Sequence, residues 1–318
     1  MAVVEANGIA KSYGNLLAVD DLTVSVEAGE IVGMLGPNGA GKTTAVRMLT
    51  TILAPSRGSF RVAGVPHTRP EEIRRRIGVL PESAGYPGGQ TGVEYLTYHA
   101  RLYGHPAASA RAVARSLLDE LGLAERARSP ISAYSRGMRQ RLGIARALVN
   151  EPAAVFLDEP TLGLDPAGQR QVLGGVREIA RERGAAVILS THLLNEVEEN
   201  CSGVLILNRG RVIARGTVAD VVRRAAAPGR VRLRVAPRES QRAAAVIAGV
   251  AAVGQISEPA EGGVGWLTVE LEGPGERNGG ADPNQVIRAL LDAGIAPCSF
   301  EVAGARLGDA FLAITEAS

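Results

Sequence analysis

The sequence is poor in cysteine and lysine and has no long apolar run. Its two cysteines, Cys201 and Cys298, are far apart and lack the spacing of a metal site, so we expect reduced thiols. No stretch approaches the ~20 apolar residues that span a bilayer. Residues 1–6 lack the basic and apolar regions of a secretory signal. The net charge is only +2, so we expect no general affinity for polyanions and no nucleic-acid partner.

The scarcity of lysine makes the positions that keep it informative. Of the 35 basic residues, 33 are arginine, and lysine occurs only at Lys11 and Lys42. A lysine retained in such a sequence indicates a place where a fork-shaped guanidinium would not replace a compact ammonium. Lys42 lies in a place of this kind, because it ends a glycine-rich segment.

Residues 36–43 fit the P-loop pattern of a glycine, four residues and then Gly-Lys-Thr. They follow an apolar run, Ile31–Leu35, that predicts a buried strand, and precede a helix predicted from Lys42 to about Leu53. Backbone N–H groups of such a loop and the positive end of the helix dipole bind phosphates. Lys42 would contact the β and γ phosphates of ATP, and the Thr43 hydroxyl would ligate Mg²⁺. The alternative is a glycine-rich turn that binds nothing. The predicted nucleotide-binding residues of this segment are Gly36, Asn38, Gly39, Ala40, Gly41, Lys42, Thr43 and Thr44.

A second apolar run, residues 153–157, ends in two acids. Ionised carboxylates are costly inside a buried strand, but the end of a strand can open onto a metal site. We predict that Asp158 holds Mg²⁺ and that Glu159 is the general base for an attacking water. An acidic turn is the common alternative, which the P-loop earlier in the chain disfavours. His192 follows another predicted strand and is a candidate for contact with the γ-phosphate, although a lone histidine is more often a surface or core residue.

Strand and helix patterns alternate along most of the chain and predict an α/β fold with a mainly parallel core sheet. Antiparallel strands are expected at the N-terminus, and residues 86–150 read as a helical insert. Helices are predicted at about 166–183 and 193–200, and strands at 185–190 and 203–208. A linker at 225–229 precedes a segment with the order strand, helix, strand, strand, helix, strand, which predicts a small α+β ferredoxin-like module. The predicted domains are therefore residues 1–224 and 230–318.

Together these residues resemble the ABC ATPase family of P-loop NTPases, over residues 1 to about 224. Residues 134–140, Tyr-Ser-Arg-Gly-Met-Arg-Gln, resemble the signature loop of that family, which usually reads Leu-Ser-Gly-Gly-Gln. Ser135 and Gly137 match this pattern, whereas Arg136 and Met138 depart from it. The resemblance implies that Ser135 and the start of the following helix bind the γ-phosphate of ATP held by a partner chain.

Four further positions match the family in order along the chain. Tyr13 is where the family places an aromatic ring against adenine, the alternative being a core tyrosine at a strand end. Glu82 replaces the glutamine that links Mg²⁺ to the transmembrane partner, and a carboxylate adds a charge there. Asp165 is the acid of a loop that resembles the one crossing the dimer interface, and His192 matches the switch histidine.

The resemblance implies an ATPase that uses ATP and Mg²⁺ and drives a separate transmembrane permease from the cytoplasmic face of the cell membrane. One P-loop and one signature loop in the chain imply a head-to-tail homodimer. The C-terminal module, Glu82, the variant signature and the ending at 308–315 resemble exporters of the drug-resistance and sodium-export type. The helical insert near residues 92–103 is the expected docking surface for the permease.

Two alternatives remain open at this point. The first is a non-transport ABC ATPase acting on ribosomes or DNA, although such members usually carry two ATPase domains or a long coiled-coil insert. The second is a regulatory protein that binds ATP without cleaving it, against which Asp158, Glu159 and His192 argue.

Overall fold

The computed structural model describes residues 2–225, 230–250, 253–257, 265–271, 283–302 and 306–316. Contacts divide the chain into two units, residues 1–218 and 219–318, which are described separately. Apart from Ala225, the predicted linker lies outside the described residues, as does the glycine-rich segment 273–282, for which the sequence predicts a loop. In the part of the chain that is described, no helix has the length and hydropathy needed to cross a membrane.

The first unit alternates strands and helices over most of its length. Its strands are β1 (Ala2–Tyr13), β2 (Leu16–Glu27), β3 (Ile31–Leu35), β4 (Arg57–Val62), β5 (Val65–Pro66), β6 (Ile77–Leu80), β7 (Ala154–Asp158), β8 (Ala186–Thr191), β9 (Gly203–Asn208) and β10 (Arg211–Thr217). Its helices are α1 (Lys42–Leu49), α2 (Pro70–Arg74), α3 (Gly92–Leu102), α4 (Ala107–Glu120), α5 (Arg136–Leu148), α6 (Pro166–Arg183) and α7 (Leu194–Asn200). A further helix, α8 (Val218–Ala225), begins at the last residue of this unit.

The strands of the first unit form one ten-stranded sheet in the order β5-β4-β1-β2-β10-β9-β3-β8-β7-β6. The neighbours from β9 to β6 all pair in parallel, whereas β5, β4, β1 and β2 pair antiparallel. The predicted fold class, a mainly parallel core with an antiparallel N-terminal part, is therefore confirmed. Because the core strands are parallel, the carboxyl ends of β3, β8, β7 and β6 meet at one edge of the sheet.

The central strands are buried on both faces, as their continuous apolar sequences predict. Alternate residues of β7 point to opposite sides: Val155 and Leu157 belong to a core beneath the helical insert and α6, whereas Phe156 belongs to a second core with α1. The central strands are therefore held between two apolar layers, and only the ends of these strands are available for polar chemistry.

Helix α1 ends at Leu49, four residues before the predicted end near Leu53. Thr51 has a φ of +63°, and the N–H of Ile52 donates to the carbonyl of Arg47 at 2.9 Å. This is the bond pattern of a Schellman C-cap, in which the left-handed position is usually glycine. A branched residue at that position gives no recognisable stop signal, so the sequence pattern overestimated the helix.

The predicted helical insert is confirmed and consists of α3, α4 and α5 with two short 3₁₀ turns at residues 124–126 and 131–133. Helix α3 begins with a capping box in which the Thr91 hydroxyl accepts from the N–H of Glu94 and the Glu94 carboxylate accepts from the N–H of Thr91. Apolar side chains on the inner faces of α3 and α4, such as Leu96 and Leu118, are fully buried. The helices of the insert therefore pack on an apolar core.

The second unit contains the predicted module. Its elements are β11 (Arg230–Arg234), α9 (Ser240–Ala248), β12 (Val253–Ser257), β13 (Trp266–Leu271), α10 (Asn284–Asp292), β14 (Ser299–Val302) and α11 (Leu307–Glu316). The sheet order is β12-β13-β11-β14 with every neighbouring pair antiparallel. Val231 and Leu233 of β11 are buried with residues of α9 and α10, and Arg232 between them faces away. The predicted βαββαβ order is therefore confirmed.

Candidate functional site

The P-loop connects the carboxyl end of β3 to the start of α1. Gly39 and Gly41 have φ values of +80° and +101°, which residues with a side chain rarely adopt. A Cβ on Gly41 would lie 2.6 Å from the carbonyl oxygen of Ala18, and one on Gly36 would lie 2.4 Å from that of Leu207. Glycine is thus required twice, once for conformation and once for the close approach of the neighbouring strands, and the loop keeps its backbone N–H groups open to a ligand.

Lys42 is buried at the first position of α1. Its Nζ donates to the carbonyl of Gly36 at 2.7 Å and lies 3.8 Å from a carboxylate oxygen of Glu159. The ammonium group is therefore held over the concave side of the P-loop, facing the end of β7. An arginine in this position would present a planar, fork-shaped guanidinium where lysine presents a compact ammonium group.

Glu159 follows β7 in a conformation that is rare for a residue with a side chain, with φ at +50°. Its backbone N–H donates to the carbonyl of Ser190 at 2.9 Å, which fixes it against the end of β8. Its carboxylate lies 2.8 Å from Nδ1 of His192. Burial raises the pKa of Glu159, whereas His192 and then Lys42 act in the opposite direction and the neighbouring Asp158 raises it further. A buried carboxylate with a raised pKa is suited to accept a proton.

The contact between Glu159 and His192 follows from the sheet order. Strands β7 and β8 are parallel neighbours, with Asp158 paired to Ser190 in register. Glu159 and His192, each one position beyond the end of its strand, therefore lie side by side, although 33 positions separate them in the sequence. Thr191 steadies this end of β8, because its hydroxyl donates to the buried carboxylate of Glu196 at 2.9 Å.

Asp158 is buried at the end of β7, and its Oδ1 has no hydrogen-bond partner among the described residues. An unpartnered buried carboxylate oxygen is costly unless a cation or water completes it. Within the described residues no group of three or more His, Cys, Asp or Glu side chains is arranged to bind a metal. Mg²⁺ usually binds through one or two carboxylates together with substrate phosphates, so the oxygen of Asp158 fits that ion.

A cleft of about 530 Å³ opens beside these residues, and we call it the phosphate-loop cleft. Its lining comes from the P-loop, the start of β2, the position after β6, Glu159 and the turn between β9 and β10. Glu82 lies in this lining. Its residues are Leu16, Leu17, Ala18, Asn38, Gly39, Ala40, Gly41, Lys42, Thr43, Thr44, Glu82, Glu159, Arg209 and Gly210. The contributions of β2 and of the β9–β10 turn were not predicted, since no local pattern indicates them.

Tyr13 ends β1 and is 46% exposed, which excludes a core tyrosine. The Nζ of Lys11 lies 5.6 Å from the centre of its ring. Tyr13 is not among the residues that line the phosphate-loop cleft. Tyr13 is nevertheless paired across the β1–β2 hairpin with Leu16, which does line the cleft.

The signature loop lies at the start of α5, and none of its residues lines the phosphate-loop cleft. Ser135 is the N-cap, and its Oγ accepts from the N–H of Met138 at 3.2 Å. Asp165 is likewise the N-cap of α6. The unusual Arg136 lies against the loop before α6, because a Cβ on Gly163 would be 2.6 Å from its Cζ.

A mainly parallel sheet defines a P-loop nucleoside triphosphatase when a P-loop follows one strand and a buried acid pair ends a strand two places along the sheet. The family profile of the ABC transporters matches residues 19–162. Among curated proteins, the daunorubicin/doxorubicin resistance ATP-binding protein DrrA of Streptomyces peucetius is 42% identical over 219 residues, which are 69% of this chain and 66% of that protein. The Nod factor export ATP-binding protein I of Paraburkholderia xenovorans is 39% identical over 222 residues, covering 70% and 73% of the two chains. The chain therefore belongs to the ABC transporter family.

Solved structures agree with this assignment. An ATP-binding subunit of an ABC transporter superposes with a TM-score of 0.63 at 34% identity, covering 70% of this chain and 92% of that one. A dimeric ATP-binding cassette bound to ADP and phosphate has the same fold, with a TM-score of 0.62 at 23% identity. The chain is accordingly an ATP-binding subunit of the ABC transporter type.

Proposed function

We propose that this chain powers an exporter, and that it works as a homodimer in which two ATP molecules are each held between two copies. The observation that carries the catalytic part is the arrangement of Glu159, with His192 at 2.8 Å on one side and Lys42 at 3.8 Å on the other. This arrangement supports Glu159 as the proton acceptor and Lys42 beside it as the ammonium group proposed to bind the phosphates.

In the proposed reaction, Lys42 and the backbone N–H groups of the P-loop bind the β and γ phosphates. Glu159 accepts the proton of the attacking water, and His192 orients that carboxylate and contacts the γ-phosphate. Thr43, Asp158 and Glu82 are the proposed oxygen donors to Mg²⁺, which when bound neutralises charge on the phosphates. Tyr13 is the proposed partner of the adenine ring.

The homodimer is supported by the position of the signature loop. Ser135 and Gly137 do not line the phosphate-loop cleft of their own chain. They stand at the start of α5, where the N–H groups of a helix N-terminus are suited to a phosphate. A second copy related by two-fold symmetry would bring its Ser135 and Asp165 to the first copy's ATP. ATP would then hold the two copies together, and hydrolysis would remove the γ-phosphate contacts.

Export and a separate permease are supported by the relatives, one described as a drug-resistance protein and another as a Nod factor export protein. We propose that the permease docks on the helical insert near residues 92–103 and holds the chain at the cytoplasmic face of the membrane. Residues 1–224 would be the ATPase domain and residues 230–318 an accessory domain.

Light scattering during gel filtration tests the dimer. The Glu159→Gln variant should elute as a dimer with ATP and Mg²⁺ and as a monomer without ATP. Adding Ser135→Arg should abolish the dimer while ATP still binds to the monomer, whereas Ser116→Arg, on the exposed face of α4, should leave the dimer intact. A Glu159→Gln protein that stays monomeric with bound ATP, or a dimer insensitive to Ser135→Arg, would contradict the shared sites.

A further inference from the structure

The phosphate-loop cleft contains a second basic residue, to which no role has been assigned. Besides Lys42, the basic residue of the described lining is Arg209, which lies in the turn between β9 and β10. Its side chain is exposed, and within the described part of the chain it makes no ion pair or hydrogen bond. The guanidinium group is therefore available to a ligand in the cleft.

The backbone of Arg209 has a conformation that is unfavourable for a residue with a side chain. The turn has two residues, because Asn208 and Arg211 pair across it. Arg209 and Gly210 have φ values of +47° and +82°, as in a type I′ turn, where asparagine or glycine is favoured at the first position. The fold alone therefore gives no reason for an arginine there. Since such strained positions cluster at functional sites, we expect the side chain to have a role in the cleft.

The turn that carries Arg209 is fixed directly to the P-loop. The N–H of Gly210 donates to the carbonyl of Ala40 at 3.0 Å, and the carbonyl of Gly210 accepts from the N–H of Asp20 at 2.7 Å. The Cα of Gly210 would also lie 3.5 Å from a Cβ on Gly41. Arg209 is therefore held beside the segment whose N–H groups are proposed to bind phosphates.

The order of the strands decides which end of a bound nucleotide Arg209 would meet. Strand β3, which leads into the P-loop, has β8 on one side and β9 on the other, and both pair with it in parallel. His192 follows β8 and Glu159 follows β7, the next strand beyond it, so the proposed γ-phosphate site is on that side. Arg209 follows β9 on the opposite side, where Leu16 of β2 also lines the cleft. A nucleotide whose γ-phosphate meets Glu159 would therefore turn its nucleoside end and its α-phosphate towards Arg209.

We infer that Arg209 binds the α-phosphate of the nucleotide and so fixes the nucleoside end of ATP in the phosphate-loop cleft. A guanidinium group pairs with two phosphate oxygens through parallel hydrogen bonds. The ribose and the base are uncharged and would leave the charge of the arginine without a partner. The two cations of the lining then divide the three phosphates between them, with Lys42 on the β and γ phosphates and Arg209 on the α-phosphate.

This inference rests on the proposed nucleotide site, but it needs neither the dimer nor the permease. The test is isothermal titration calorimetry of the full chain with Mg²⁺, using ADP, GDP and the slowly hydrolysed analogue β,γ-imido-ATP. Arg209→Asn should lower the affinity for all three ligands by the same factor, because each of them carries an α-phosphate. We expect a loss of about tenfold, since a hydrogen bond to a charged group contributes a factor of about 10 to 150 and the exposure of Arg209 places it at the lower end.

Asparagine is the replacement because it suits the first position of a type I′ turn. Arg209→Asn should therefore unfold at the same urea concentration as the unaltered chain or at a higher one, while it binds nucleotide more weakly. Damage to the fold would not produce this combination. Arg209→Lys keeps the charge without the paired geometry and should recover only part of the affinity. The matched control, Arg61→Asn, removes the same charge from an exposed position of β4 outside the cleft lining and should change the affinity less than about twofold.

The inference would be overturned by an unchanged affinity of Arg209→Asn or by equal losses in Arg209→Asn and Arg61→Asn. A loss confined to β,γ-imido-ATP would assign Arg209 to the γ-phosphate instead, and unequal losses for ADP and GDP would assign it to the base. Weaker binding together with earlier unfolding would make Arg209 a structural residue. If the unaltered chain bound none of the three ligands, the nucleotide site of the proposed function would itself be refuted. Normal binding by the unaltered chain with no effect of Arg209→Asn would refute only the role of Arg209.

Discussion

Replacing His192 by alanine tests how Glu159 is held in the active conformation. The imidazole Nδ1 lies 2.8 Å from the Glu159 carboxylate, and the side chain of His192 is partly exposed beside the cleft. The backbone of Glu159 is fixed separately, by its N–H bond to Ser190 at 2.9 Å. The substitution should therefore free the carboxylate without moving the strand end.

The expected loss follows from the strength of the contact. A hydrogen bond that involves a charged group contributes about 1.5–3 kcal/mol. If that energy is lost from the transition state, kcat for ATP hydrolysis falls about tenfold to 150-fold. ADP has no γ-phosphate, so the affinity for ADP should be unchanged.

The pH dependence should change in a defined direction. Burial raises the pKa of Glu159, and His192 is the largest influence that opposes this rise. Without His192 the pKa of Glu159 rises further, although Lys42 still opposes it. Since the proposed base must be ionised, the acidic limb of the ATPase profile should move to higher pH.

Phosphate release measured across a pH series provides the assay, and thermal melting confirms that the variant is folded. His105→Ala, in the helical insert, is the matched histidine control and should leave both rate and profile unchanged. A His192→Ala protein with full activity and an unshifted acidic limb would refute the assigned role.

Five other substitutions give separate tests. Lys42→Ala should weaken ATP binding about a hundredfold or more, because each ammonium–phosphate bond contributes about 1.5–3 kcal/mol, and Lys42→Arg should not restore it in a titration with fluorescent ATP. Without ATP, Glu159→Gln should increase the free energy of unfolding at neutral pH. The pKa of Glu159 is raised, so folding favours the protonated carboxyl. That stabilisation of the unaltered protein is present at low pH and is lost as the pH rises through the folded-state pKa, whereas glutamine stays uncharged throughout. Urea melts should show this difference shrinking toward acid, and parallel curves would contradict it. Gly78→Ala should destabilise by about 1–3 kcal/mol, since its Cβ would lie 2.0 Å from the carbonyl of Ala147, whereas Gly174→Ala, in open space on α6, should stabilise by up to about 1 kcal/mol.

The parts of the fold that the sequence predicts well carry a strong local signal. Helix α6 and strand β9 have the predicted ends, because apolar periodicity and clear breakers define both. Strand β10 was not predicted, since none of its residues is buried and no alternation marks it. The two N-terminal strands are expected from the sequence, but their length of twelve residues each is not, because register shifts and the positive φ of Gly8 and Asp21 interrupt their patterns.

The candidate site shows the same division. The P-loop is one continuous segment and so is the acid pair, and the chemistry of each could therefore be predicted from residue order alone. The 2.8 Å contact of His192 with Glu159 and the lining by Leu16 and Arg209 depend on which strands are neighbours. That order is a property of the whole sheet, and no short segment encodes it.

The departure of the signature loop from its family pattern has a structural partner, and this can be tested. Gly163 has a φ of +70°, and a Cβ there would lie 2.6–2.9 Å from three atoms of the Arg136 guanidinium. Gly163→Ala should therefore destabilise the protein in two ways, through about 1–2 kcal/mol of backbone strain and through a clash with Arg136.

Only the clash depends on the arginine. Adding Arg136→Gly should recover the part due to the clash and leave the strain, giving a coupling of about 0.5–3 kcal/mol in a double-mutant cycle of urea unfolding. Gly174→Ala combined with Arg136→Gly is the control pair, and its effects should add. If the effects of the Gly163 and Arg136 substitutions add within about 0.5 kcal/mol, the guanidinium moves away from the new methyl group without a measurable free-energy cost. In that case the arginine would be tolerated in the signature loop for a reason other than its packing on the glycine.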